Sequence, residues 1–587
     1  MPSILPRKAC GGDAHFVGGC SCAHAEGAEA LRLFDIFKID ARAPGAYTML
    51  WCDRMYAGLH LEVICMEHRH PTKVRKTTKA RAARAEARAV DAGERGLQHR
   101  VEALRVVFGA SSDVVLRYYS PAGSEKPLAA TLYVDGLIDT NLVAQCVAKP
   151  LARAVETYAE ANALGSSGGL FSIPESAVSS PAVQRVSSID EAARLAVRGH
   201  TIVLSAGDEG MLACDTVASV GRPVEEPSTE SSVRGSREGF VETLRTNTAM
   251  IRQHISDPRL RIEETSIGRT SHTRIAVAYV DGIVNHAVLN EVRERLEMVD
   301  VDAVHESGHL EELIEDAPYS IFPTMWRTER PDRVAAGLLE GRIAILVSGT
   351  PFVLIVPATF TMYMTAAEDY YERYFHGSFI RLIRTTALWT SMLLPGLYVA
   401  ITTFHQEVLP TPLIMSIAAQ REGVPFPAVV ESLVMELMFE VVREAGVRLP
   451  RLVGPAVSIV GVLVLGDAAI RSGIVSPIMV IIVASTGVAS FAAPSYSMAI
   501  GTRLFRFGFL FLGATLGLYG IGLGLFALLA HLAAMESFGT PFLAPLAPIV
   551  LRDLQDSIIR FPWWSIRRRP ETTRPVASRR ARGEERQ

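Results

Sequence analysis

The alternation of apolar and polar positions changes along the chain. Up to about residue 380, short apolar runs alternate with charged stretches; from 385 to about 550 apolar residues dominate. In the first part, "LYVDGLIDTNLV" at 132–143 and "AYVDGIVNHAVL" at 278–289 share one pattern: a β-branched run, Asp-Gly, then a helix-like segment. A second pair follows at nearly the same offset. It comprises "AARLAVRGHTIVLSAGDEGMLACD" at 192–215 and "VAAGLLEGRIAILVSGTPFVLIVP" at 334–357, which align Gly199 with Gly341 and Gly207 with Gly349. Self-similarity at a fixed offset signals a duplicated unit, and strands alternating with helices give an α/β class. The expected subdomains are 100–230 and 234–375. In each "VDG" the Asp-Gly supplies turn geometry rather than chemistry.

The repeat decides how residues 343–364 are read. They are apolar enough to pass for a membrane span, but their counterpart at 201–215 carries Asp208, Glu209 and Asp215. The "SGTP" at 348–351 also has hairpin composition. Two buried strands over 343–357 are therefore expected.

The second part reads as a helical polytopic membrane domain, 379–550, with four to six membrane segments. Residues 385–404 are uncharged and long enough to cross a core of about 30 Å. Arg373, Arg381 and Arg384 precede them and place the N-terminal region on the cytoplasmic side. Pro395-Gly396 predicts a kink. Residues 408–419, with Pro410 and Pro412, are too short for an ordinary span and suit a half-helix or re-entrant piece. Further spans are expected at about 452–470, 474–493 and 507–534, with Arg503 and Arg506 in a cytoplasmic loop. With both ends inside, the number of crossings is even. The small residues of "GATLGLYGIGLGLF" at 513–526 allow close helix approach, or a flexible gate.

One charged stretch interrupts this pattern: "EGVPFPAVVESLVMELMFEVVREAGVRLP" at 422–450. As a helix over 428–446 it gathers Glu436, Glu440, Arg443 and Glu444 within an arc of about 100°. Arg448 extends the stripe. Val434, Leu437, Met438, Val441 and Val442 form the other face, so the segment reads as amphipathic rather than as a lipid-facing span. Two readings compete. In one, the stripe is solvated and knitted by Glu440–Arg443 and Glu444–Arg448 pairs. In the other, copies from several subunits place carboxylates around a cation path. Glu431 lies off the stripe near the helix start, where it caps the helix or serves the path. Asp467 sits in an apolar stretch, so it faces protein or water; it pairs with Arg471 at i, i+4 or lies on an ion path. Pro395, Pro410, Pro412, Pro425 and Pro427 are hinges or static helix boundaries.

Composition adds exclusions. The 587 residues carry a net charge of only −3, which gives no nucleic-acid signature. The basic stretches at 73–88 and 565–586 read as juxtamembrane or unstructured, the latter within a basic cytoplasmic tail at 551–587. Cys20, Cys22 and His24 lack a second ligand pair at zinc spacing, so neither a metal nor a cofactor is expected. "MPSILPRKACGG" lacks the apolar core of a signal peptide. Residues 1–95 show little pattern and read as a disordered extension or an overextended gene start. Residues 165–188 read as a linker. The arginines of 234–274 cap helices and pair with acids, or contact an anionic lipid or ligand. No nucleophile elbow, phosphate loop or metal spacing appears, so no enzyme is expected.

From about 234 to 550 the sequence resembles the A subunit of the GerA-type spore germinant receptors, including the relative encoded with the SpoVA genes. The resemblance is carried, in order, by "REGFVETLRTNT", "DPRLRIEETSIGRTSHT", "FPTMWRTERPDRVAAGLLEGRIAILVSGTPF", "EDYYERY", the stretch from "LPGLYVAITTF" to "VREAGVRLP", "GIVSPIMVIIVASTGVASFAAPSY" and "SFGTPF". It is weaker over 100–233 and absent over 1–95. One departure is "GDAAI" at 466–470, where Asp467 replaces the amide of the family's "GQAAV". The resemblance implies a multi-pass subunit of the spore inner membrane. It would work with a transporter-like nutrient-binding B subunit and a lipoprotein C subunit, and homo-oligomerise in lipid into a cation channel that releases ions. The alternatives are a SpoVA-linked accessory channel, a secondary transporter and a non-conducting scaffold. The repeat lies only in the first half, which counts against an inverted-repeat transporter.

Overall fold

The computed structural model describes residues 96–123, 126–163, 173–218, 227, 230, 234–448 and 466–580. The readings made for residues 1–95, including Cys20, Cys22 and His24, lie outside these residues, as do the start of the 165–188 linker and most of the 452–470 span.

The duplication is visible in strand order. The first unit runs α1 (Leu97–Phe108), β1 (Val114–Tyr119), β2 (Ala129–Val134), α2 (Lys149–Ala163), β3 (Val183–Val186), α3 (Ile189–Ala196), β4 (His200–Ser205) and β5 (Met211–Asp215). The second runs α4 (Leu244–His254), β6 (Leu260–Ile267), β7 (Thr273–Val280), α5 (His286–Met298), α6 (Ser307–Ile314), β8 (Trp326–Thr328), α7 (Pro331–Leu339), β9 (Ile343–Val347) and β10 (Val353–Val356). The sheets have orders β1-β2-β4-β5-β3 and β6-β7-β9-β10-β8, the same arrangement twice. Every strand pair is antiparallel.

Equivalent residues do equivalent work. Asp139 caps the helical turn that leads into α2, accepting from the Asn141 and Leu142 amides. Asn285, four residues after its own Asp-Gly aspartate just as Asp139 is, caps α5 through the Ala287 amide. Gly199 and Gly341, each between a helix and its following strand, both have φ +92°, a conformation that a side chain would strain.

Helices cover both faces of each sheet, so the strands are buried on two sides. In the second unit α4 and α7 pack on one face, while α5 and α6 pack on the other. That is why β9 and β10 read as continuous apolar runs: every residue in them is buried. Residues 343–357 are thus the two expected strands. The units are joined at Ser111–Asp113, where Arg252 donates through Nε to Asp113 Oδ2 at 2.7 Å and through Nη2 to Asp113 Oδ1 and Ser111 Oγ, both at 2.9 Å.

The helical region consists of α8 (Tyr374–Phe404), α9 (Thr411–Arg421), α10 (Ala428–Arg448), α11 (Pro477–Phe491) and α12 (Tyr496–Ala534). Among the described residues, two helices, α8 and α12, are long and apolar enough to cross a membrane. The structure does not establish the four to six segments read from the sequence. Helix α11 has only 15 residues, and α10 is interrupted by charge.

Helix α12 is broken at Gly517, whose φ of 64° and ψ of −145° are not helical. Beyond it the chain folds back. A side chain added at Gly520 would strike the Leu512 carbonyl, and one at Gly524 would lie 3.0 Å from the Phe509 ring. Both arms return to one loop of the second unit. Phe505 stacks on Phe322 with ring centroids 5.1 Å apart, and His531 Nε2 lies 3.0 Å from Ser320 Oγ. The hairpin packs along α8 at glycines: a Cβ on Gly396 would lie 2.6 Å from the Phe509 carbonyl, and one on Gly513 2.5 Å from that of Gly396. The small residues at 513–526 therefore permit close approach and the reversal itself.

After α12 the chain rejoins the second unit. The Ser537 hydroxyl accepts from the Ala358 amide at 2.9 Å and donates to the Thr324 carbonyl at 2.7 Å. The C-terminal segment also lies against this unit, with the Val576 amide on the Ile283 carbonyl at 3.0 Å and Thr573 Oγ1 on that of Glu340 at 2.8 Å.

Candidate functional site

The candidate site is a buried polar cluster where α8, α10, α11 and α12 meet. It begins with a missing donor. Pro395 lies inside α8 and has no N–H, so the Ser391 carbonyl four residues earlier lacks its usual helical partner. Arg506 replaces it: Nε donates to the Ser391 carbonyl at 2.7 Å. Its Nη1 donates to Glu436 Oε2 at 2.6 Å, and Glu436 Oε1 accepts from Thr486 Oγ1 at 3.3 Å. The Arg506 and Glu436 side chains are 1% and 0% exposed. One guanidinium thus fastens α8, α10 and the first arm of α12, and its carboxylate reaches α11. A charged pair this far from water needs such hydrogen bonds to offset its desolvation.

One turn along α10, Glu440 lies 3.5 Å from both Arg443 and Arg503. Arg443 also donates to Ser490 Oγ at 2.6 Å and is held 4.9 Å and 4.8 Å from the ring centroids of Phe439 and Phe491. A further turn on, Glu444 and Arg448 form a 2.7 Å pair. The expected stripe therefore exists, with both expected pairs, but it is graded. Side-chain exposure rises from 0% at Glu436 through 25% at Glu440 to 66% at Glu444.

The structure corrects three expectations. Leu433, Leu437 and Val441 point outward, so the apolar side of α10 is its exposed face and the buried carboxylate lies within. Arg503 and Arg506 belong to α12, not to a loop; Arg506 is held inside through Nε and Nη1 by Ser391 and Glu436. Glu431 is buried and does cap a helix, but a neighbouring one. It accepts from the amide of Ser476, the residue preceding α11, at 2.5 Å and also from the Ser476 hydroxyl. Arg421 Nε stands 3.7 Å away.

Other candidates lie apart from the cluster. Asp467 pairs with Arg471 at 2.9 Å, both largely exposed. Pro410 and Pro412 stand at the start of α9. The Pro427 carbonyl accepts from Val430 and Glu431 at the start of α10, and Pro425 lies in the turn before it. These four prolines occupy helix boundaries, while Pro395 alone is inside a helix.

Sequence reasoning missed Ser391, Thr486, Ser490 and Arg506 as members. A signal was present: a proline within an apolar helix leaves a carbonyl free four residues back, and an arginine in another apolar run can serve it. Also missed was a junction at the base of α8. Asp369 accepts from Arg384 Nη1 at 2.7 Å and from Arg381 Nε at 3.3 Å. Arg381 Nη1 then reaches Asp556 Oδ1 at 3.1 Å. Burial holds the Asp556 carboxyl above its ordinary range although Arg381 and Tyr370 oppose the shift. Among the described residues no group of His, Cys, Asp and Glu is arranged to hold a metal.

Comparison with known proteins places this geometry in context. Residues 102–572 match the family described as Bacillus/Clostridium GerA spore germination protein. The chain is 46% identical to spore germination protein KA of Bacillus subtilis, covering 79% of this chain and 84% of that one. It is 40% identical to spore germination protein B1 of the same organism, covering 82% and 97%. The crystal structure of the N-terminal domain of the A subunit of the Bacillus megaterium spore germinant receptor GerK3 is 31% identical. That alignment covers 46% of this chain and 96% of that domain, with a TM-score of 0.33.

Proposed function

This chain belongs to the Bacillus/Clostridium GerA spore germination protein family, and from that premise we propose that it is a membrane subunit of a spore germinant receptor. It oligomerises in the spore inner membrane, with its α/β region in the cytoplasm, and forms a cation channel. A transporter-like B subunit senses nutrient, a lipoprotein C subunit completes the receptor, and opening releases ions. The helical region crosses the membrane in four to six segments.

The observation that carries this reading is the inverted polarity of α10, with Glu436 and Arg506 inside and Leu437 and Val441 outside. Such an arrangement suits a helix between hydrocarbon and a polar protein interior. Within it the carboxylates divide by role. Glu436 is bound to Arg506 and positions the helices. Glu440 and Glu444, progressively more exposed, are the residues available to line a cation path. Glu431 secures α11, and Asp467 with Arg471 lies at the periphery.

A scaffold is the second reading, and charge favours it. Glu436 and Glu440 face Arg443, Arg503 and Arg506, so one chain supplies no excess of carboxylate at the cluster. A cation path then requires several copies, each presenting its more exposed acids. Cation flux through full-length protein in liposomes separates the readings. Wild type is compared with Glu440→Gln/Glu444→Gln, with crosslinking to verify the oligomer. Flux that falls in the variant supports a path lined by these acids. Equal flux retains the channel and moves the path elsewhere. An intact oligomer that stays silent with its partner subunits present supports the scaffold. Gene neighbours distinguish a receptor subunit from a SpoVA-linked channel.

A further inference from the structure

A cavity of about 440 Å³ lies between α7, the short helix Glu368–Tyr371 and the C-terminal segment. This is within the range of small-molecule sites, roughly 300–1,000 Å³. Its wall carries seven arginines and four acids. Most of the acids are already engaged: Asp332 holds Arg330 at 2.7 Å, Glu340 holds Arg580 at 3.0 Å, and Asp556 holds Arg381. Several arginines lack such partners. Among the described residues, the Arg568 guanidinium has no hydrogen-bonding or ionic partner, and Arg567 reaches only the Trp564 carbonyl, at 3.3 Å. Arg342, by contrast, pairs with Glu340 at 3.6 Å, although its buried Nε makes no hydrogen bond.

The titration tendencies agree with this geometry. Burial lowers Arg569, and neighbouring Arg580 and Arg259 lower it further. Burial raises the carboxyls of Asp553 and Asp556. The cations are crowded and three of the four acids already hold arginines, so the cavity favours an anion from outside. Arginine forks match the oxygens of phosphate in bidentate fashion.

We propose that this cavity binds a phosphate-bearing ligand, with Arg567 and Arg568 as its principal phosphate contacts. Its wall includes Asp556, which bonds to Arg381 of α8, so the site adjoins the base of the first membrane helix.

The test is isothermal titration of full-length protein in detergent with ATP, pyrophosphate, inorganic phosphate and a short-chain phosphatidylglycerol. At least one probe is expected to bind, and Arg567→Ala/Arg568→Ala to weaken it roughly tenfold or more. The control Arg185→Ala, on the first α/β unit, is expected to leave binding unchanged. Circular dichroism and size-exclusion chromatography check that the double variant is folded. Binding of ATP, pyrophosphate or phosphate identifies a soluble ligand; binding of phosphatidylglycerol alone identifies a lipid headgroup. No binding by any probe at about 1 mM overturns the proposal, as does equal binding by wild type and a folded double variant.

Discussion

The second α/β unit and the helical region use opposite polarity. In the former, β9 and β10 are buried throughout, while pairs such as Arg269–Asp300 lie outside, with both side chains 65% exposed. In the latter, Arg506 and Glu436 are inside and Leu437 is 51% exposed. Apolar side chains therefore fill the interior of the sheet in one region, while on α10 they form the outer face. What differs is the medium expected around each, water for the first and hydrocarbon for the second. Yet both regions use buried arginine–carboxylate pairs as joints. Arg252–Asp113 joins the two α/β units, Arg384–Asp369 joins the second unit to α8, and Arg506–Glu436 joins the helices.

The contrast can be broken most severely at Glu436. Glu436→Leu leaves Arg506 uncompensated and is expected to cost about 3–5 kcal/mol. In Glu436→Leu/Arg506→Leu the buried charge is gone, and part of that stability returns. Thermal unfolding of these two variants and of Arg506→Leu in one detergent measures this; a double variant worse than the sum of the singles would contradict the pairing. Next in size is the outer face of α10. Leu437→Arg is expected to oppose membrane insertion by about 2.5–3.5 kcal/mol, read as the fraction integrated into membranes. Full integration of the variant would mean that this face meets water or protein.

Smaller effects sharpen the comparison. Burial raises the Glu311 carboxyl in α6 from 4.5 to about 7, with Arg327 opposing the shift. Between these values the folded protein holds a proton that the unfolded chain has lost, so this group makes stability fall as pH rises through the window and level off above it. Glu311→Gln is expected to flatten that dependence, measured by denaturant unfolding at several pH values. An unchanged slope would show that Glu311 is solvated. The smallest effect belongs to Glu444→Ala, which loses an exposed i, i+4 pair with Arg448 and is expected to cost only about 0.3–0.5 kcal/mol. A much larger loss of stability would mean that Glu444 is enclosed by a second copy or partner.

The α/β region was legible because its repeat constrains it twice. Asp208 in one copy ruled out a span in the other, and Gly199 and Gly341 marked the same turn. The antiparallel pairing was less legible, since strands covered on both faces lose the alternation that distinguishes them. In the helical region, composition located α8 and α12 but not the reversal at Gly517, which one residue's conformation determines within an unbroken apolar run. The stripe on α10 was found by periodicity. Its orientation was not, because a helical wheel is the same whichever face meets the protein. Glu431 was recognised as a cap, but its helix was misidentified because Ser476 is distant in sequence.

The hairpin at Gly517 has a mechanical consequence. Its arms rest on the same short loop, through Phe322 and Ser320, and its tip meets His405 at the far end of α8. The helical path from Phe505 to Gly517 is about 18 Å long at 1.5 Å per residue. A rigid tilt of about 10° at that loop would therefore carry the tip about 3 Å. The geometry is that of a lever whose short end rests on the α/β region and whose long end reaches the far end of α8.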